Sequence, residues 1–214
     1  MTATQPRTAV APARRNRRTG RKRGGGAKAL SLAAGLLLVG GAMGVQTLHM
    51  SEGEFSNPLT YAGDKGEAVD ARRFTVRVDS VTSAKSIQSN TKTIGTDNLF
   101  LIVSASAKSS LKPYHLAQPV LLTADGKEFD ATDRVDNSVT LTNTWVQPDI
   151  WVSGRFFFEV PPSALSGASV VFGLPRPIIQ EGFPPEVEID LGLDEAAARK
   201  LTASPQDVYS TDKK

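Results

Sequence analysis

The chain has 214 residues, a length that predicts one domain with appendages, and a formal net charge of +3. The first 28 residues hold nine of the 25 Lys and Arg residues and no acid, so the rest of the chain has a net negative charge. This charge argues against a nucleic-acid-binding domain, whose phosphate contacts need Lys and Arg side chains spread over a folded surface. The absence of Cys excludes disulfides, a lipoprotein anchor, thiolate zinc sites and cysteine nucleophiles.

The N-terminal segments predict a membrane anchor. Residues 1–28 are rich in Arg, Gly, Ala and Thr without periodicity, which is typical of a disordered tail, here cytoplasmic. Residues 29–50 predict a transmembrane signal-anchor helix, because the 20 positions Ala29–Leu48 carry no charge and that length crosses roughly 30 Å of hydrocarbon. The bases before this run, and Glu52 and Glu54 after it, predict a cytoplasmic N-terminus and an extracytoplasmic C-terminal domain.

The same run also allows an alternative. Leu30–Val39 fits the apolar core of a signal peptide, and Ala42-Met43-Gly44 fits a cleavage site, so cleavage near Gly44 would release a secreted soluble domain. The long basic leader favours the uncleaved anchor. Gly40 and Gly44 have the spacing that lets two membrane helices approach closely, although glycine is also generally common in such helices.

After a predicted polar linker at 51–70, the pattern becomes that of strands. "FTVRVDSV" (from Phe74) and "NSVTLTNTWVQ" alternate, "LFLIVSASA" and "GRFFFEVP" are apolar, and Asp125-Gly126 predicts a hairpin. Ser83–Asn98 is mostly polar and predicts a long loop or edge segment. Residues 71–193 therefore predict an all-β fold, an immunoglobulin-like antiparallel β-sandwich of seven to nine strands. Residues 194–214 predict a short helix, with Asp194 as its N-cap and Glu195 facing Arg199, followed by a disordered tail from Thr202.

The order of these pieces resembles a family of uncharacterised immunoglobulin-like domains in bacterial secreted, lipoprotein and membrane-anchored proteins, telokin-like sandwiches that include a secreted mycobacterial antigen. The matching stretches are "FTVRVDSV", "NLFLIVSASAKSS", "VLLTADGKEF", "VQPDIWVSGRFFFEVP" and "ASVVFGL", within Val69–Leu193. The resemblance implies the fold, an extracytoplasmic setting and a binding or accessory role, in an actinobacterial membrane-anchored member. This chain has Pro148-Asp149 where family members commonly have Pro-Gly.

The residue patterns that carry catalysis or metal binding are missing or weak. His115 has no nucleophile or acidic partner at a diagnostic spacing, and the common nucleotide, zinc and hydrolase motifs are absent. Asp130, Asp133 and Asp136 are candidates for Ca²⁺ ligands, but their spacing matches no known calcium loop and favours a solvated acidic loop. We therefore expect no enzyme, no cofactor, no metal and no small-molecule substrate. The alternative, a cell-wall-modifying enzyme, would require a deep polar pocket that joins His115 to acids distant in the sequence.

Aromatic residues mark the candidate partner-binding sites. Trp145 and Trp151 flank a turn just before three consecutive Phe. Phe156 and Phe158 should face one side of their strand and Phe157 the other; one side is then core, while an aromatic on the other side needs cover or a partner, and Phe157 is the candidate partner contact. The Pro-rich stretch 174–185, with Ile178, Ile179 and Phe183, predicts either a lid over the core or a recognition loop. These features predict a membrane-anchored sandwich that binds another envelope protein.

Overall fold

The computed structural model describes residues 34–44, 57–89, 91–175 and 182–212. The chain divides into two compact units, Met1–Met50 and Ser51–Lys214. In the first unit residues 34–44 form a helix, α1, which carries Gly40 and Gly44 one turn apart. The remainder of the predicted anchor and the whole basic tail lie outside the described residues. Among the described residues, no helix has the length and apolar character that a membrane crossing requires.

The second unit is a β-sandwich of two sheets. Its described residues form ten strands, a nine-residue helix α2 (Glu195–Ala203) and three short 3-10 turns at Asn137–Val139, Leu141–Asn143 and Pro162–Ala164. The strands are β1 Leu59–Asp64, β2 Val69–Asp70, β3 Phe74–Ser89, β4 Lys92–Ser109, β5 Val120–Leu122, β6 Glu128–Asp130, β7 Val152–Val160, β8 Ser169–Gly173, β9 Pro185–Asp190 and β10 Tyr209–Ser210.

The first sheet has the strand order β1-β9-β8-β5-β6, and the second has the order β10-β3-β4-β7 with β2 also paired to β3. Two pairs at the sheet edges are parallel, β1 with β9 and β10 with β3, and the other strand pairs of both sheets are antiparallel, as predicted. The predicted Asp125-Gly126 hairpin is confirmed between β5 and β6, where Gly126 has a φ of 79°.

The main core lies between the sheets, because alternate residues of each strand point inward. Phe74, Val76 and Val78 on β3 are fully buried, and they belong to the same cluster as Phe156 and Phe158 on β7. These side chains pack against the apolar residues of β8 and β9, and their removal from water stabilises the packing of the two sheets.

A second, smaller core lies on the outer side of the second sheet. Phe157 is 1% exposed and clusters there with Phe100, Ile102, Ile87 and Ile94. Val135 and Tyr209 complete the cluster from the segment after β6 and from β10. The cover that Phe157 requires therefore comes from the chain itself.

Three sequence predictions are corrected by the strand pairing. Within the predicted linker, β1 and β2 form strands, because their backbone groups pair with β9 and β3 although their residues are mostly exposed. The polar stretch Ser83–Asn98 is the distal part of the long β3–β4 hairpin rather than a loop, since Ile87 and Ile94 reach the second core. "NSVTLTNTWVQ" forms two 3-10 turns instead of a strand, with Asp136 capping the first.

The C-terminal prediction holds for the helix and fails for the tail. Asp194 accepts a hydrogen bond from the Ala197 amide at 2.7 Å, and Arg199 lies 3.6 Å from Glu195. Beyond Thr202 the chain is ordered as far as residue 212: Gln206 forms a bridge to Ala84, and β10 pairs with β3. Backbone pairing at a free sheet edge, which leaves no signal in side-chain periodicity, orders this segment.

Candidate interaction surface

Two segments of the sandwich, residues 109–114 and 145–151, run side by side, and the second carries both tryptophans of the protein. Tyr114 and Val146 exchange backbone hydrogen bonds of 3.0 and 2.8 Å, and the Asp149 amide donates to the Ser109 carbonyl at 3.1 Å. Val146 is fully buried, so that its neighbour Trp145 faces solvent. The aromatic side chains of these segments are thus held on a hydrogen-bonded backbone.

The exposed apolar side chains of the sandwich concentrate here. Of its seven large exposed hydrophobic residues within the described ranges, four lie on these two segments. They are Leu111 at 84% exposure, Trp145 at 55%, Ile150 at 60% and Trp151 at 40%, and we call them the tryptophan surface. Single exposed apolar residues are ordinary, but a group of four that includes both tryptophans is typical of an interaction site.

Four cations flank the aromatic rings of this region. The Arg77 guanidinium lies 5.3 Å and the Lys108 ammonium 5.6 Å from the centroid of the Trp151 ring. Tyr114 has the same arrangement, with Arg73 at 5.3 Å and Lys112 at 5.4 Å. These distances are typical of cation–π interactions, each of which contributes about 0.5–1 kcal/mol at an exposed site. The four cations therefore give the region around Tyr114 and Trp151 a basic rim.

Polar contacts fix the orientation of the cations near Trp151. Arg77 Nε donates to Asp79 at 2.6 Å, and the other carboxylate oxygen of Asp79 accepts from the Ser106 hydroxyl at 2.5 Å. Lys108 lies 3.9 Å from Asp149, whose carboxylate is largely exposed. Because Arg77 and Ser106 are cross-strand partners on β3 and β4, the sheet itself sets the position of this network.

His115 supports Trp145. The two rings lie 4.0 Å apart at an interplanar angle of 48°, and the imidazole Nδ1 donates to the Thr142 carbonyl at 3.0 Å. A carbonyl oxygen can only accept, so Nδ1 carries a proton. These contacts hold the indole in place and do not form the base–nucleophile arrangement that acid–base catalysis uses.

The candidate calcium ligands are not gathered into a site. Within the described residues, no group of three or more His, Asp or Glu side chains is close enough to hold a metal ion. Asp136 instead accepts a hydrogen bond from the Ser138 amide at 2.8 Å, and this bond lowers the pKa of its carboxyl below the ordinary value. Asp130 and Asp133 line an open recess of about 490 Å³ together with Gln118 and Glu159.

Glu159, which also lines this recess, is held by hydrogen bonds from two other side chains. It accepts a hydrogen bond from the Thr96 hydroxyl and a second one, of 2.7 Å, from Arg134 Nη1. The Thr96 hydrogen bond is the largest influence on the Glu159 carboxyl, and together with the Arg134 contacts it holds the pKa of Glu159 below its ordinary value although desolvation opposes them. The group joins β4, β7 and the segment after β6.

The structure separates the predicted partner-binding residues. Trp145 and Trp151 are exposed on neighbouring segments, whereas Phe157 is buried in the second core, so its prediction as a partner contact is wrong. Phe183 is 43% exposed with a φ of 51°, and Ile178 and Ile179 lie outside the described residues. Sequence reasoning missed Leu111, Ile150 and the four cations. Arg77 and Lys108 could not be identified because it is strand pairing that brings them beside Trp151.

No family model and no curated protein matches the chain. The chain is similar to the solved structure of ycdA, a candidate lipoprotein of Bacillus subtilis, with 20% identity over 66% of this chain and 41% of that one, and a TM-score of 0.43. It thus spans less than half the length of ycdA. It is also similar to yjhA of Bacillus subtilis, with 13% identity over 60% of this chain and 98% of that one, and a TM-score of 0.45.

A third similar structure is MPT63, a secreted protein of Mycobacterium tuberculosis, with 13% identity over 63% of this chain and 98% of that one, and a TM-score of 0.43. Similarity at this level says nothing about activity or partners.

Proposed function

We propose that this chain is a non-enzymatic single-pass membrane protein whose extracytoplasmic β-sandwich binds a protein of the cell envelope, as an accessory or scaffold subunit. The tryptophan surface is the observation that supports binding. It contains two exposed Trp side chains and lies next to Arg77 and Tyr114, and Trp, Tyr and Arg are the residue types that dominate the energetics of protein interfaces.

The rigidity of this surface also supports binding. Trp145 rests on the His115 ring, and Trp151 lies beside Arg77 and Lys108 next to the start of β7. Side chains that are already ordered in the free protein lose little conformational entropy on association, so more of the contact energy appears as affinity.

The charge pattern of the N-terminal segments supports the topology. A charge-free run of 20 residues follows nine bases and precedes two acids, which favours a cytoplasmic tail and an external domain. The tail then lies against anionic lipid of the inner leaflet, at about 1 kcal/mol for each Lys or Arg near the surface. The proposal thereby gives the basic tail a role in orientation.

Co-purification from membranes tests the binding proposal. The tagged full-length chain is crosslinked in membranes and purified, alongside the double variant Trp145→Ser/Trp151→Ser. The matched control is Leu59→Ser/Val208→Ser, which removes two large hydrophobic side chains of similar exposure elsewhere on the sandwich. We expect the wild type and the control to retain the same crosslinked protein and the tryptophan variant to lose it. Equal recovery from all three chains would refute the role of the tryptophan surface.

The absence of cysteine allows a clean test of topology. Single cysteines are placed at Thr8 in the tail and at Lys92 on the β3–β4 hairpin, and intact cells are treated with a membrane-impermeant thiol reagent. We expect labelling at position 92 only. A mature N-terminus near Val45 would instead establish the secreted alternative.

A further inference from the structure

The outer face of the first sheet is acidic. On β9 the outward residues Glu186, Glu188 and Asp190 alternate with the buried Val187 and Ile189. The strand registers place further outward acids on β1 and β6, since Asp64 pairs with Asp190 and the β6 residues pair with outward positions of β5. The acidic residues of this face, which we call the acidic sheet face, are Asp64, Glu128, Asp130, Glu186, Glu188 and Asp190.

This face has an apolar centre and carries no bases. Val171 pairs with Val120 between β8 and β5, and these two residues and Leu122 are only partly buried. The outward positions of the five strands include no Lys or Arg. Within the described part of the chain, the six acids form no ion pair; Glu186 and Glu188 accept hydrogen bonds from the neutral hydroxyls of Thr60 and Ser169. No ion pair with a cation of the described residues therefore compensates their charge.

The open part of the outer face of the second sheet has the opposite charge. Its outward cations Arg77, Lys108 and Arg155 outnumber the two carboxylates beside them, Asp79, which pairs with Arg77, and Asp149, which lies 3.9 Å from Lys108. Arg77 and Lys108 flank Trp151, and Ile150 lies beside it in the chain. The remainder of this face is covered by the second core. A basic, aromatic surface and the acidic sheet face thus lie on the two opposite sides of one sandwich.

From this charge complementarity we infer that the partner on the tryptophan surface is a second copy of this chain, docked through its acidic sheet face. The inference rests on the proposed binding role of the tryptophan surface and names its partner. Trp151 and Ile150 of one copy meet the apolar centre at Val120, Leu122 and Val171 of the next. Arg77 and Lys108 face the surrounding carboxylates, an arrangement that steers association and fixes its direction.

The contact uses different faces on the two copies, so it is heterologous and extends into a row of sandwiches instead of closing as a symmetric pair. A five-stranded face with strands about 4.8 Å apart and about 17 Å long offers on the order of 400 Å² per copy. Stable interfaces bury about 800 Å² per partner. The association is therefore weak in dilute solution and depends on the high local concentration that a shared membrane provides.

Cysteine crosslinking between two tagged full-length copies tests this arrangement. One copy carries Ile150→Cys and the other Val171→Cys, and a short bis-maleimide joins them in membranes. The control replaces Val171→Cys with Lys92→Cys on the hairpin. We expect a mixed dimer with the first pair and none with the control, and a yield that falls as salt is raised.

Charge reversal identifies the faces involved. Glu186→Lys/Glu188→Lys in both copies, or Arg77→Glu/Lys108→Glu in both copies, should each reduce the dimer by about tenfold or more, because like charges then face each other. The two reversals are then combined across one interface. One copy carries Arg77→Glu/Lys108→Glu with Ile150→Cys, and the other carries Glu186→Lys/Glu188→Lys with Val171→Cys. Opposite charges again face each other, so this pair should restore the dimer yield. The control Asp97→Lys/Glu195→Lys makes the same charge change as Glu186→Lys/Glu188→Lys, but at exposed positions elsewhere, and should leave the dimer yield unchanged.

The outcomes separate this inference from the proposed function. The inference is overturned if no mixed dimer forms, or if neither charge reversal changes the yield of the crosslinked dimer. If the chain then still captures another protein that Trp145→Ser/Trp151→Ser loses, the proposed function stands with a different partner. If the tryptophan variant also changes nothing, both fail.

Discussion

Phe157 and Tyr209 meet edge to face, with ring centroids 6.1 Å apart and an interplanar angle of 69°. Phe157 lies in the middle of β7, and Tyr209 lies in the two-residue strand β10. This contact explains why the C-terminal segment is ordered and why Phe157 is not available to a partner. The Arg155 guanidinium, 5.5 Å from the Tyr209 ring, adds a further contact to the same strand.

Tyr209→Ala should therefore lower the free energy of unfolding by about 2 kcal/mol, from lost apolar burial and the lost aromatic pair. Tyr209→Phe keeps the ring and should have a much smaller effect. Val208→Ala, at an adjacent residue that is 48% exposed, should be nearly neutral. Urea unfolding of the full chain in detergent measures all three, and equal stability of the Ala and Phe variants would contradict a role for the ring.

Gly154 is required by a close approach of two backbones. A Cβ at this position would lie 2.8 Å from the Leu141 Cβ and 2.9 Å from its Cα. Because a backbone must move, Gly154→Ala should destabilise the domain by about 2 kcal/mol. At Gly173 an added Cβ meets nothing within 4 Å, so Gly173→Ala is the matched control and should be nearly neutral. Similar urea midpoints for the two variants would contradict the packing described for Leu141.

Asp149 adopts a left-handed backbone conformation, with a φ of 55°, at the position where the resembling family commonly has glycine. Asp149→Gly and Asp149→Ala both remove the carboxylate near Lys108, so the difference between them isolates the backbone effect. The Gly variant should be the more stable by about 1 kcal/mol, because a Cβ is disfavoured at this φ. Thermal unfolding distinguishes them, and an Ala variant as stable as the Gly variant would contradict the strained turn.

Glu159 gives the domain an acid-sensitive contact. Its pKa is lowered in the fold by the Thr96 hydrogen bond and by Arg134, from an ordinary value of 4.5. A lowered pKa stabilises the fold above the unfolded-state value, and this stability is lost as pH falls through the folded-state value. Glu159→Gln should therefore cost about 1 kcal/mol near pH 7, since the pair is partly solvated.

That cost should shrink progressively once the pH falls below 4.5. Comparing the unfolding free energies of the two chains across this range measures the effect. A difference between wild type and Glu159→Gln that stays constant with pH would show that the carboxylate charge contributes nothing.

Side-chain periodicity predicted the strands that are buried on one face. "FTVRVDSV" alternates because Phe74, Val76 and Val78 face the core, and the opposite orientation of Phe157 followed from the same rule. The concentration of aromatic residues in one short stretch identified both tryptophans as candidates. Periodicity could not say that Phe157 is covered, because the cover comes from residues distant in the chain, such as Val135 and Tyr209 on other segments.

The missed elements share a physical cause. β1, β2 and β10 are held by backbone hydrogen bonds at sheet edges, which place little demand on the side chains. The cations beside Trp151 come from β3 and β4 and are brought together by strand register alone. Local propensity carries no information about such pairings.

The central claim is that the tryptophan surface contacts another protein in the envelope. A photo-crosslinking amino acid at position 151 of the full chain, activated in intact membranes, tests it most directly, with position 92 at the exposed hairpin as the control. The account predicts a discrete crosslinked protein from position 151 and none from position 92. Products of equal yield from both positions, or none from position 151, would contradict it.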